Sequence, residues 1–260
     1  MINVLLPMAG QSSLFDAQLY PYPLPLTEVC GRPLIEHVVN NLREIGPDVR
    51  FIFVVRDEDC RRFHLDHTLM LLAPGCAQIV RLSGETQGAL CSALMAIDHI
   101  TADEPLVVAN VDQLIEGGLD GLVDRMRQSA CDAGCLTFDA VHPRWSYVRI
   151  QDHQVVEAAE KKPISRQAIA GFYYFATGAL FVEAAKRALF KGASVGDVFY
   201  VSQVFNELIL EGKSVQAWPL GDHLYHSFYT PQRIEEYERQ HQFSGVMVRS
   251  AVSRLNGAGA

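Results

Sequence analysis

Three short stretches of the chain carry residue types that handle phosphates. Asp112 closes the apolar run Pro105–Ala109 after Asn110 and Val111. A carboxylate at the end of a buried strand can hold Mg²⁺ against phosphate oxygens, because Mg²⁺ needs few protein ligands and completes its shell from substrate and water. An aspartate there can equally cap a turn. Glu160 and Lys161 form the second stretch. The carboxylate can accept hydroxyls and the ammonium can pair with a phosphate, although such a pair is also an ordinary solvated surface feature. The third stretch runs from Pro7 through Met8, Ala9, Gly10, Gln11, Ser12, Ser13 and Leu14 to Phe15, then on to Tyr20–Leu26. Gly10 and the small serines can let backbone N–H groups approach an anion, or the segment can be a plain strand-to-helix connection. It has no Lys or Arg between Met1 and Gly31, so a bound triphosphate would have no charged donor from its own loop.

The elements that must position these residues follow from periodicity. Asn3–Pro7 reads as a buried strand, Pro33–Ile45 as a helix, Phe51–Val55 as a strand and Asp57–Leu71 as one acid-capped helix. Ala77–Leu82 is a third strand, Gln87–Ile97 a helix and Pro105–Ala109 a fourth strand. Strand and helix in alternation predict βαβ units and a parallel sheet, with ligands at the carboxyl ends of strands. Beyond Asp112 the pattern changes to strand-like runs at Gly134–Ala140, Tyr147–Gln151, Val155–Ala159 and Gly171–Phe175, with Asp152–His153 as a turn. Helices are expected at Gly178–Phe190 and Val201–Glu211, a strand at Val215–Leu220 and a helix at Pro231–Gln242. No linker or repeat divides the chain. A single domain over residues 1–245 is expected, with a nucleotide-binding half to about residue 115, a second half after it, and a tail over 246–260.

Laid end to end, these segments resemble sugar-phosphate nucleotidyltransferases, which join a nucleoside triphosphate to a sugar 1-phosphate. The signature of that family reads P-M-A-G-x-G-S-R-F, then G-Y, then P-K-P-L-I-x-V-x-G-K-P-L-I-x-x-V. Here the chain gives PMAGQSSLF, then LY, then PLPLTEVCGRPLIEHVV. The likeness continues through GETQGALCSALMAID (Gly84–Asp98), NVDQ (Asn110–Gln113), HPRWSYVRI (His142–Ile150), VVEAAEKKPIS (Val155–Ser165), AGFYYF (Ala170–Phe175) and DVFYVSQVFNELILEGK (Asp197–Lys213). The resemblance implies an α/β fold, Rossmann-like, with a mixed, mainly parallel central sheet flanked by helices, the GT-A-like arrangement of nucleotide-diphospho-sugar transferases. It implies nucleotide contacts at Pro7, Ala9, Gly10, Gln87 and Gly88, and a sugar-phosphate site at Glu160, Lys161 and Gly171. It makes Asp112 the Mg²⁺ ligand, with Asp112 and Lys161 as the catalytic residues. Trp145, Ser146 and Tyr147 can line the sugar pocket, or they can be buried aromatic packing. A role in surface-polysaccharide precursor synthesis is implied in the same way.

The departures fall on the nucleotide side. Ser12 replaces the second loop glycine, Leu14 the arginine and Leu24 the lysine that hold the triphosphate in that family, so the carry-over fails at both cations. Losing two charged hydrogen bonds of roughly 1.5–3 kcal/mol each would slow transfer by about 10²–10⁴. Ser227 stands where the family often has a second metal-binding aspartate in a late W-x-D-x-G-T motif, and Tyr229 replaces its glycine. Arg144, Arg149, Lys162 and Arg166 can supply positive charge from the second half, although nothing in the sequence aims them at a phosphate.

Composition bounds the alternatives. A net charge of −8 excludes a nonspecific nucleic-acid or anionic-membrane surface. No apolar run reaches the roughly 18 residues that span a bilayer, and the N-terminus has no basic leader, so a cytoplasmic protein is expected. The six cysteines form no C-x-x-C pair and read as reduced thiols. The nine histidines are dispersed and no Ser/His/Asp arrangement is readable. Three readings stay open: an active nucleotidyltransferase, a non-catalytic homologue that binds a sugar phosphate or nucleotide sugar and regulates a partner enzyme, and an interaction protein with a vestigial pocket. A homo-oligomer is compatible with each.

Overall fold

The computed structural model describes residues 1–10, 14–16, 18–221 and 223–241. The expected tail and the end of the last expected helix at Gln242 lie outside the described residues.

Strand β1 (Ile2–Pro7) is buried almost throughout. A small hairpin of β2 (Glu28–Val29) and β3 (Arg32–Pro33) precedes α1 (Leu34–Arg43). Then come β4 (Val49–Arg56), α2 (Asp57–Phe63), α3 (Leu65–Leu72), β5 (Ala77–Leu82), α4 (Ala89–Leu94) and β6 (Leu106–Ala109). β1 pairs in parallel with both β4 and β6, and β4 pairs in parallel with β5. Parallel strands covered on both faces have no polar side, so they appear in the sequence as continuous apolar runs. Residues alternate between faces all the same. Val4, Leu6, Phe51, Phe53 and Val55 enter one core cluster, and Leu5, Ile52 and Val54 enter the other.

The second half adds β7 (Gln113–Ile115), α5 (Leu122–Gln128), β8 (Ala133–Asp139), β9 (Ser146–Gln151), β10 (Gln154–Glu160) and β11 (Gln167–Phe175). It continues with α6 (Gly178–Phe190), α7 (Val204–Leu210), β12 (Val215–Pro219), β13 (Tyr225–Ser227) and α8 (231–241). β11 runs antiparallel to β6, β8 and β9, and thereby joins the second half to the parallel sheet. The result is a nine-stranded mixed sheet in the order β10-β9-β11-β6-β1-β4-β5, with β8 and β12 branching from β11. It is flanked by helices, as expected.

Two expectations are corrected and one helix is an addition to them. The helix expected over Asp57–Leu71 is two helices, because His64 adopts the left-handed conformation (φ +53°) that ends α2 and opens α3. The helix expected from Val201 begins as a 3₁₀ turn, Val201–Gln203, before α7. Helix α5 has no clear signal in the sequence: it is one of the shortest helices, starts at Gly121 without a side-chain cap, and its buried Leu122, Val123 and Met126 are too few to display a period. No helix among the described residues is long and apolar enough to cross a membrane. All six cysteines are free thiols.

Candidate functional site

The carboxyl end of β1 opens the site. The Met8 N–H donates to the Val54 carbonyl at 2.9 Å, which extends the β1–β4 pairing one residue past Pro7. Ala9 packs half-buried on the second core cluster, and Gly10 is exposed with open space where a Cβ would sit. Gly10 is therefore not required by crowding from the described residues. Residues 11–13, which include Ser12 and Ser13, lie outside the described residues. Leu14 points largely to solvent, 56% exposed, whereas Leu24 packs half-buried against the first core cluster at the start of a 3₁₀ turn. The arginines at the ends of the neighbouring strands already have carboxylate partners. Arg56 pairs with Glu58 at 2.5 Å, and Arg81 pairs with Asp66.

The Gln87–Gly88 turn approaches from the other side. Gly88 sits at φ +115°, and a Cβ there would fall on the Phe199 carbonyl oxygen and 2.7 Å from Val198. The Gln87 carbonyl accepts the Phe199 N–H at 2.7 Å, and the Leu90 N–H donates to the Phe199 carbonyl at 3.2 Å. The side chain of Gln87 is exposed.

Asp112 lies between these edges, just past β6. Its carbonyl accepts the Phe228 N–H at 2.7 Å, while Ser227 pairs in register with Gln113. The late-motif position is thus beside Asp112, but as a hydroxyl instead of a second carboxylate. Gly171 forms the floor. Its carbonyl accepts the Asn110 N–H and the Gln113 side-chain amide, both at 2.9 Å. At φ +53° it sits in a bulge where a Cβ would come within 2.5 Å of the Asn110 amide nitrogen. Burial raises the Asp112 carboxyl above its ordinary range, opposed only by its own backbone N–H. It is a desolvated carboxylate with no arginine or lysine in an ion pair with it among the described residues. That environment suits a divalent cation, though Asp112 belongs to no group of three potential ligand side chains among the described residues. One carboxylate with phosphates and water is a sufficient set for Mg²⁺, so the residues present fit it.

Glu160 and Lys161 sit at the end of β10, with Glu160 in register with Ser146. Glu160 is 8% exposed. The Ser146 hydroxyl and, at 2.9 Å, the Ser202 hydroxyl both donate to Oε2. Among the described residues no hydrogen-bond donor reaches Oε1, which leaves it to accept from a ligand. Burial raises the Glu160 carboxyl, while the two serines and Lys161 pull it back. Lys161 adopts a left-handed backbone (φ +54°), with its N–H on the Trp145 carbonyl at 3.0 Å. Its ammonium lies 5.1 Å from the Tyr200 ring centroid, and the Tyr200 hydroxyl is the main cause of its raised pKa. Residues 198–202 therefore form a strap: Phe199 holds the Gln87–Gly88 turn, Tyr200 holds Lys161, and Ser202 holds Glu160. Sequence reasoning missed both Tyr200 and Ser202, since nothing in their local spacing points to partners some 40 residues away.

A cavity of about 320 Å³ adjoins the pair, walled by Phe138, Trp145, Tyr225 and Tyr229 among others. Phe138 stacks on Tyr225 at 4.3 Å, and Trp145 meets Tyr229 edge-on at 5.7 Å. The Tyr225 hydroxyl donates to Gln113 at 3.3 Å, so the cavity floor touches the Asp112 neighbourhood. Of the three residues expected in the pocket, Trp145 lines it and Ser146 serves Glu160. Tyr147 is fully buried with its hydroxyl on the His142 carbonyl at 2.7 Å, which makes it a core residue. Two of the four cations offered by the sequence are engaged. Arg149 pairs with Glu157 at 2.6 Å, and Arg166 grips both oxygens of Asp139 at 2.8 and 2.5 Å. Arg144 and Lys162 have no ion-paired carboxylate among the described residues.

The model of one family, the MobA-like NTP transferase domain, matches residues 5–189. Among solved structures the chain is similar to a nucleoside-diphosphate-sugar pyrophosphorylase from Vibrio cholerae RC9, at 23% identity and a TM-score of 0.80, over 91% of this chain and 99% of that one. It is similar to a UDP-glucose pyrophosphorylase complexed with UDP-glucose, at 15% identity and a TM-score of 0.75, over 94% and 100%. A UTP-bound UGPase from Acinetobacter baumannii gives 17% and 0.71, over 98% and 100%. At such identities these are likenesses of fold. No curated protein matches the chain in sequence.

Proposed function

The chain belongs to the MobA-like NTP transferase domain family, and on that premise we propose that it transfers a nucleotidyl group from a nucleoside triphosphate to a sugar phosphate. A phosphate oxygen of the acceptor attacks the α-phosphorus, the new P–O bond forms, and the bond to the β-phosphate breaks to release pyrophosphate. The observation that carries this reading is the convergence on one edge of the sheet of Asp112, the Gly171 floor and the Glu160–Lys161 pair. Lys161 would pair with the acceptor phosphate and orient the attacking oxygen. Glu160, through Oε1, would take an acceptor hydroxyl. Pro7, Ala9 and Gly10 would present backbone to the triphosphate, and Gln87 with Gly88 would face the base. Mg²⁺ held by Asp112 would neutralise charge on the phosphate oxygens, the main contribution such transfers require. The product would be a nucleotide sugar, of use in surface-polysaccharide precursor synthesis in the cytoplasm.

The reading is tested by incubating the protein with each nucleoside triphosphate, Mg²⁺ and a panel of sugar 1-phosphates, and measuring pyrophosphate. Asp112→Asn and Lys161→Ala should each lower release by about 10- to 150-fold, the worth of one charged contact. No release above background with any pair would remove the activity. A second reading is favoured by one observation, the ion-paired state of Arg56 and Arg81 with leucine at 14 and 24. In that reading the chain binds a sugar phosphate or nucleotide sugar without turning it over, and thermal shifts with those ligands would appear in the absence of any pyrophosphate.

A further inference from the structure

We infer that the acceptor carries a second oxyanion, a carboxylate or a further phosphate, and that Arg144 reads it. The inference rests on the sugar-phosphate reading above and names the class of acceptor within it.

Two chemically different features adjoin the aromatic cavity. One is Ser227, in register with Gln113 beside Asp112, with Tyr225 reaching Gln113 through its hydroxyl. The other is Tyr229, whose ring carries the Arg144 guanidinium 3.7 Å from its centroid; Trp145 is 6.0 Å from the same group. A ring lying along Trp145 and Tyr225 would thus direct one end to the transfer chemistry and the other to Arg144. At about 320 Å³ the cavity is near the lower limit for small-molecule sites, roughly 300–1,000 Å³, which suits one substituted ring and excludes a dinucleotide.

Charge accounting identifies what the Arg144 side prefers. The carboxylates lining the cavity are each matched: Asp139 by Arg166, and Glu236 by Arg233 at 2.9 Å. Arg144 is outside the lining itself and lies over the ring of Tyr229, one of the cavity's walls, with no ion-paired carboxylate among the described residues, in a chain whose net charge is −8. A guanidinium stacked on an aromatic face keeps its N–H donors in the plane of the stack, where they meet a planar oxyanion two at a time. A neutral sugar offers only hydroxyls to such a fork. The position is also fixed in the chain. Arg144 precedes Trp145, whose carbonyl accepts the Lys161 N–H, so the two cations stand just beyond the paired ends of β9 and β10, one residue out of step. Lys161 takes the phosphate that reacts, and Arg144 takes the anion that does not.

The test measures binding to the full chain, by titration calorimetry with Mg²⁺ and without nucleotide. Three probes are used: glucose 1-phosphate, glucuronic acid 1-phosphate and glucose 1,6-bisphosphate. The wild type should bind at least one of the two doubly anionic probes about 10- to 100-fold more tightly than glucose 1-phosphate, the size expected of a charged, forked contact. Which of the two it prefers identifies the oxyanion as carboxylate or phosphate. Arg144→Ala should erase the preference, and Arg144→Lys should restore part of it. Arg144 is exposed, so neither variant should disturb folding. Equal binding of all three probes, or a preference that survives Arg144→Ala, overturns the inference while the sugar-phosphate reading stands. Failure of every probe to bind overturns both.

Discussion

At the residue scale, the two leucines in place of loop cations differ in their surroundings and so predict different outcomes. Leu14 is largely exposed, and Leu24 packs on the core. Leu14→Arg should leave the melting temperature unchanged and tighten triphosphate binding by about tenfold or more, the worth of one charged hydrogen bond. Leu24→Lys should lower the melting temperature, because roughly 1–2 kcal/mol of apolar burial is exchanged for a charged tip. Calorimetric titration with triphosphate and thermal melts separate the two, and an unchanged affinity in Leu14→Arg would show that the loop does not follow the family's path. Asp112, Lys161, Glu160 and Gly171 were legible in the sequence because each stands inside a contiguous motif. The pairing state of the arginines was not. Arg149 meets Glu157 across the β9–β10 ladder, and Arg166 meets Asp139 across β8–β11, contacts that exist only once register is set. Spacing along the chain offers four cations, and folding leaves Arg144 and Lys162 without ion-paired carboxylates among the described residues.

Elements explain why the site holds together. The parallel half was readable because strand and helix alternate with strong periodicity, and β5 and α6 have the bounds expected of them. The strap over residues 198–202 was not, since it has no regular structure before its 3₁₀ turn and works through backbone contacts with a distant loop. Gly88 is where strap and loop meet. Gly88→Ala should cost about 1–3 kcal/mol, because it places a Cβ against the Phe199 carbonyl in a backbone conformation that only glycine adopts readily. Gly10→Ala, with open space around it, should leave the melting temperature unchanged. The same Gly88 change should also weaken binding of glucose 1-phosphate at the distant Lys161, because Phe199 and Tyr200 are consecutive and cannot move independently. Equal melting temperatures for the two alanine variants would remove the strap from this account.

Across the whole molecule, buried carboxyls give a pH dependence whose sign can be worked out. Burial raises Asp59 and Glu160 above their ordinary values of 3.8 and 4.5. A raised acid binds its proton more tightly folded than unfolded, so its contribution is complete below the unfolded value and is lost as pH rises through the folded one. Glu58, Asp66 and Asp139 behave oppositely: arginines hold all three low, Asp66 in spite of its burial. Their contribution is present above the ordinary carboxylate range and is lost only as pH falls below it, so it is constant above about pH 5. The metal-free protein should therefore lose stability as pH rises from about 4.5 toward neutrality. Glu160→Gln should flatten that slope, because it removes one group that must ionise inside the fold. Ser202→Ala should move the loss to higher pH, since it deletes a hydroxyl that favours the charged form at Oε2. Urea titrations of the three proteins between pH 4.5 and 8 decide it. If stability rises with pH in the wild type, or if Glu160→Gln keeps the full slope, the carboxylate is better solvated than its two serines and its burial imply.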